Sequence, residues 1–139
     1  MNSTRRPSPA ALRGVVFGFS LLVLAFGVLT TAANTTGVFL LRNLMPAALA
    51  WVLLLWVVMR HAGDARWWLG WIGFLVPTLG LSGYLHLAFL NDWDGLATQA
   101  VTPDQFFRYL PIFALFAGGI GFAIGRIVGG AMQRTARKT

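Results

Sequence analysis

The chain has no cysteine in its 139 residues. That excludes disulfides, thiolate metal sites, thioether-linked haem and cysteine nucleophiles together. Charge is also scarce. Asp, Glu, Lys and Arg make up 11% of the chain, against about 25% in a soluble domain. Only four residues are acidic, and the first long apolar run holds none of them. The sequence has no Gly-rich phosphate loop, no zinc-ligand spacing and no serine elbow. Asp92-Trp93-Asp94-Gly95 resembles part of a calcium loop, but Leu90 stands at the first ligand position and Val101 where the closing Glu is needed. These absences point to a chain that is not an enzyme and that has no metal site or cofactor of its own.

What is present is apolar. Hydrophobic residues make up 57% of the sequence, more than one soluble core of this size can hide. Lipid is the solvent that accepts such a surface. Four apolar runs fit it: 14–33, 44–59, 67–90 and 110–130, with Arg126 the one Lys, Arg, Asp or Glu within them. The first has twenty residues, about 30 Å of helix, one hydrocarbon thickness. The expected fold is an all-α integral membrane bundle of four up-down-up-down helices, with a basic head at 1–13, the membrane domain at 14–132 and a basic tail at 133–139.

Local signals set the boundaries. Ser8-Pro9 is an N-cap followed by Pro at the first helical position. Asn34 to Gly37 breaks the first run. Arg42 and Asn43 precede the second span, and Pro46 falls in its first turn, where a missing N–H matters least. Pro77 predicts a kink in the third. Thr102-Pro103-Asp104-Gln105 reads as a capping box, so the fourth helix starts near Pro103 and lies at the interface as far as Tyr109.

Basic residues give the orientation. With the N-terminus inside, Arg5, Arg6, Arg13, Arg60, Arg66, Arg126, Arg134, Arg137 and Lys138 all lie inside, and only Arg42 and Arg108 lie outside. This positive-inside bias puts both termini in the cytoplasm of a bacterial inner membrane. It also takes precedence over nucleic acid as the reason for the net charge of +7. Trp67, Trp68 and Trp71 mark the inner interface and Trp93 the outer one. Trp51 and Trp56 are deeper and call for packing partners. A competing reading takes the N-terminal basic and apolar stretch, up to Thr31-Ala32-Ala33, as a cleavable signal peptide.

Two hairpins look faintly alike. Arg13 with Gly27 and Arg66 with Gly80 share a spacing, and the next helices open with aromatic, Arg, Leu and Pro in the same order. This is either a parallel duplication about an axis along the membrane normal or the chance likeness of apolar helices.

The strongest constellation is Ala117, Gly121, Gly125 and Gly129, every four residues along the fourth helix. Small residues on one face let another backbone come close, which is how helices associate in lipid. The partner is open: a second copy, another membrane protein, or the third helix with its Gly70, Gly73, Gly80 and Gly83. Arg126, one turn inside the same helix, reads as a side chain reaching back to the headgroups. Arg42 and Arg108 form a mirrored pair at the outer mouth. They either grip an anionic headgroup or pair with Asp92, Asp94 or Asp104. His86 is an ionisable group within a span and so a functional candidate. It either binds a ligand such as haem or quinone or is bonded to a backbone carbonyl. His61 lies at the opposite end, about 37 Å away along a helix, so the two cannot share one metal.

Three functions follow in order. The first is an accessory, scaffolding or assembly subunit of an inner-membrane complex that docks through the glycine face, with the bilayer and either another membrane protein or a second copy as partners. The second is a small homodimeric transporter or flippase of an anionic lipid or amphiphile. The third is a haem- or quinone-binding anchor using His86.

Overall fold

The computed structural model describes residues 7–33, 37–99 and 102–136. Its elements are α1 (Pro9–Ala33), α2 (Gly37–His61), α3 (Ala65–Leu90), a short 3-10 turn (Trp93–Gly95), α4 (Pro103–Phe106) and α5 (Leu110–Ala136). No strand occurs among the described residues. Four helices are long and apolar enough to cross a membrane: α1, α2, α3 and α5. The 26 residues of α3 extend for about 39 Å, more than one hydrocarbon thickness.

Each helix end has a local cause. The Ser8 hydroxyl accepts from the Ala11 N–H at 3.2 Å, so α1 begins at Pro9. Asp64 caps α3 by accepting from the Arg66 N–H at 2.9 Å, a cap the sequence reading passed over. The Thr102 carbonyl accepts from the N–H groups of Gln105 and Phe106 and opens α4. Of the predicted break at Asn34 to Gly37, residues 34–36 lie outside the described residues, and Gly37 is the first residue of α2.

Two boundaries differ from expectation. Arg42 and Asn43 do not precede α2 but lie inside it, because the helix starts at Gly37 and runs through Pro46. Polar residues look like a span's end only when they face water, and Asn43 is 1% exposed. It belongs to the helix interface. Nor is the fourth helix continuous from Pro103. It breaks between Phe106 and Leu110, where the ring of Phe107 is fully buried. Helix α3 runs unbroken through Pro77.

Neighbours along the chain pack antiparallel. Gly27 of α1 lies against Leu44 of α2. Farther down the same pair, the Trp51 indole donates to the Ser20 hydroxyl at 3.1 Å. Trp71 of α3 donates to the Ala50 carbonyl of α2 at 3.0 Å, and its ring meets Phe19 of α1 edge-on at 5.2 Å. These bonds also account for the two deep tryptophans. Trp51 is tied to α1, and Trp56 packs edge-on against Trp67 with centroids 4.4 Å apart.

The tightest pair is α3 with α5. A Cβ on Gly73 would fall on the Gly121 carbonyl oxygen, and one on Gly121 would fall on the Gly73 carbonyl oxygen. The same holds for Gly125 against the Leu69 carbonyl and for Gly118 against the Thr78 hydroxyl. At Gly129 the added carbon would lie 2.7 Å from the Arg66 Cα. Glycine at these positions lets two backbones touch. The α1–α2 pair is looser, and grooves run along it. Gly27 and Gly80, matched in spacing, therefore have different surroundings: Leu44 lies 3.8 Å from one, and nothing lies within 4 Å of the other.

Candidate functional site

The glycine row of α5 faces inward. Gly121, Gly125 and Gly129 all meet the backbone of α3, and Ala117 is half-buried on the same helix. Of the three partners left open by the sequence, the third helix of the same chain occupies this row. A second chain has no room there. A bare pair exists elsewhere. Gly14 and Gly18 of α1 lie one turn apart, both exposed, and a Cβ on either would meet nothing within 4 Å. Their direction is set by α1's buried face, which carries Phe19, Phe26 and Thr30. On a 3.6-residue repeat, Gly14 lies about 140° and Gly18 about 100° around the helix from the centre of that face.

His86 is fully buried. Its Nδ1 lies 2.7 Å from the Ser82 carbonyl oxygen. A carbonyl only accepts, so Nδ1 donates. Phe107 stacks on the imidazole at 4.2 Å and 9° between planes, and Phe26 meets it edge-on at 5.9 Å. The carbonyl-bonded arrangement expected for His86 is present, and it is also one that orients a ligating histidine. His86 also explains the break before α5: the chain turns at Phe107 to lay that ring on the imidazole.

Among the described residues, His86 is one of five fully or almost fully buried polar residues. The others are Thr30, Asn43, Thr78 and Ser82. The sequence alone does not group the five. Thr78 donates across the helix pair to the Ala114 carbonyl at 3.2 Å. Thr30 back-bonds to the Phe26 and Gly27 carbonyls. In hydrocarbon an unbonded polar group is costly, and these bonds hold the groups within the bundle.

Arg42 and Arg108 are both exposed. Among the described residues no hydrogen bond or ion pair joins them to each other, to Asp92 or to Asp94. The Asp104 side chain lies outside the described residues. The two aspartates serve their own loop instead. Asp92 accepts from the Ala97 N–H at 2.7 Å and the Thr98 N–H at 3.0 Å, and the Thr98 hydroxyl bonds its other oxygen. Those Thr98 bonds lower the Asp92 pKa below the usual carboxylate value. Asp92 and Asp94 both have positive φ, 49° and 55°, a conformation Asp tolerates in tight turns. Their chemistry is that of a turn.

The opposite end of the bundle is richer. Arg126 meets an indole here. Its guanidinium lies over the Trp67 ring, 3.7 Å from the centroid, and its stem packs against Gly70. His61 stacks on the same indole at 4.4 Å. Beside this cluster the one ion pair among the described residues joins Arg66 to Asp64 at 2.9 Å. Gln133 of α5 also donates to Asp64, at 2.9 Å. The Arg66 side chain, as the main cause, holds the Asp64 carboxyl down at a pKa of about 2. Among the described residues no three His, Cys, Asp or Glu groups converge as metal ligands would. No protein-family model, curated protein or solved structure matches the chain.

Proposed function

We propose that the chain is a non-catalytic accessory or assembly subunit of a bacterial inner-membrane complex. It would be multi-pass, with both termini in the cytoplasm, and would associate through α1 rather than through the glycine row of α5. The observation that carries this reading is the bare Gly14–Gly18 pair, an exposed small-xxx-small face with nothing packed on it. Such faces let a second helix approach closely in lipid. The bonded polar interior supports the same reading, because Trp51, Trp71, Thr78 and His86 all direct their polar atoms to neighbouring groups of the bundle. A transport route needs polar groups that change partners near the midplane. Orientation rests on the basic residues at the ends where α1 and α3 begin and α2 and α5 finish.

The test uses two differently tagged full-length copies, co-expressed and purified in mild detergent, with mass spectrometry of whatever accompanies them. Gly14→Leu with Gly18→Leu should keep the fold and lose the associated chain. Gly119→Leu, also in open space but on α5, should keep both. If the α1 variant retains its partner, or if wild type brings none, the reading fails. Reporter fusions after Thr139 and within 60–66 should both report the cytoplasm.

A further inference from the structure

We infer that the basic end of the α1–α2 seam binds one anionic phospholipid, its phosphate at Arg60 and Arg13 and an acyl chain in the groove below. Two adjoining hollows carry this. The first is a polar pocket of about 540 Å³ where the start of α1 meets the α2–α3 turn. Pro7, Pro9, Leu12, Val58, Arg60 and His61 line it, among others. The second is an apolar groove of about 360 Å³ lined by Leu12, Arg13, Val16, Phe17, Ser20 and Val58. Leu12 and Val58 line both, so pocket and groove adjoin. From Leu12 to Ser20 the groove follows α1 for about 12 Å, the depth over which an acyl chain leaves its headgroup.

The charges in the two hollows select the occupant. Arg13 lines the groove at its upper end and Arg60 lines the pocket. Both are exposed, and neither has an ion-pair partner among the described residues. Asp64, the one acid at the pocket, is held by Arg66 and Gln133. The available charge is therefore positive, at the level where a lipid phosphate sits. A basic pocket between membrane helices that opens onto an apolar groove fits the two parts of an anionic lipid. A zwitterionic lipid brings a compensating cation to the same place and gains less. The Trp51–Ser20 bond crosses the seam where the groove ends, so the chain's terminal part lies against the outer surface of α1.

The experiment is native mass spectrometry of the full chain released from vesicles of equal phosphatidylglycerol and phosphatidylcholine. One phosphatidylglycerol per chain should remain bound. Each of Arg13→Gln and Arg60→Gln should lower its retention about fivefold, as expected for one surface basic residue. Arg134→Gln, at the same end of the bundle but off the seam, should leave it unchanged. Leu12→Trp, which fills the junction of the two hollows, should abolish retention with both arginines intact. Thermal unfolding in detergent is measured alongside to confirm that each variant is folded. Equal retention of the two lipids, an Arg134 effect as large as that of Arg60, or a Leu12→Trp protein that binds as wild type would each overturn the inference. So would displacement of the lipid by millimolar inorganic phosphate, since that would leave the groove without a role.

Discussion

Adding one methyl group at Gly121 should loosen the whole α3–α5 pair. The new Cβ would fall on the Gly73 carbonyl oxygen, with the Gly73 carbonyl carbon 2.9 Å away and Pro77 Cγ 3.0 Å away. Two of those three atoms are backbone, so a rotamer change cannot relieve the clash. The helices must separate by roughly 0.5–1 Å, which forfeits a quarter to a half of each close dispersion contact along the seam. Overpacking of this kind costs about 1–3 kcal/mol. Alanine's better helix propensity returns at most about 1 kcal/mol. Gly121→Ala should therefore be destabilised by about 1–2 kcal/mol. Gly119→Ala adds the same atom two residues earlier, where nothing lies within 4 Å, and should be neutral or slightly stabilised. The assay is reversible unfolding from dodecyl maltoside by titrated dodecyl sulfate, followed by tryptophan fluorescence. Gly73→Ala combined with Gly121→Ala should cost less than the sum of the single changes, because the first already parts the backbones. If Gly121→Ala and Gly119→Ala unfold at the same point, the close backbone approach is wrong.

Three further expectations use the same assay. Asp64→Ala removes the α3 cap, the Arg66 pair and the Gln133 tie, and should cost about 1 kcal/mol. The Asp64 pKa is about 2 when folded, below its ordinary 3.8. Its contribution should be fully present above about pH 4 and fade as pH falls toward 2, and the Ala variant should lack that slope. Trp51→Phe and Ser20→Ala should each cost about 0.6 kcal/mol, a typical interhelical hydrogen bond in lipid. The double variant should then cost little more than either alone, and full additivity would show that the bond contributes nothing. Arg126→Met keeps an unbranched stem against Gly70 but removes the cation from Trp67, so a loss of about 1 kcal/mol is expected. An unchanged midpoint would mean that the stem alone holds the contact.

Much of the fold could be read from composition because hydrocarbon imposes a single rule on it: backbone groups must be satisfied within the segment. That rule finds the four apolar helices and fixes α1 at Ser8-Pro9. It does not say which way a polar residue faces. Asn43 read as a terminus because asparagine usually marks one, yet it is buried inside α2. The register of Gly121, Gly125 and Gly129 was plain in the sequence, but their occupant was not, since close approach is equally useful to α3 and to a second chain. Gly14 and Gly18 drew no notice because a pair of glycines in an apolar helix is common. Gly37, Gly80 and Gly119 are equally bare, and what separates Gly14 and Gly18 from these is that they lie one turn apart on one helix. The Trp67 partner of Arg126 was not legible for a related reason: the indole is supplied by another helix.

The uneven packing bears on where function can reside. Along α3 and α5 the backbones touch, so any movement between them breaks many contacts at once, and the pair is a poor place for a partner to enter. Helix α1 is held differently. Its ties are side chains: Phe19 on Trp71, Phe26 on His86 and Ser20 with Trp51. Side-chain ties can adjust by rotamer changes of a few tenths of an ångström without loss of the helix. The same helix carries the bare glycine pair on one side and the groove on its flank toward α2. A chain docked on Gly14 and Gly18 and a lipid seated beside Arg13 would therefore share one adjustable element. Binding of either should change the affinity for the other by the same factor. If the α1 glycine variant and the wild-type chain retain phosphatidylglycerol equally in both their associated and dissociated forms, the two sites are independent and α1 is as fixed as α3.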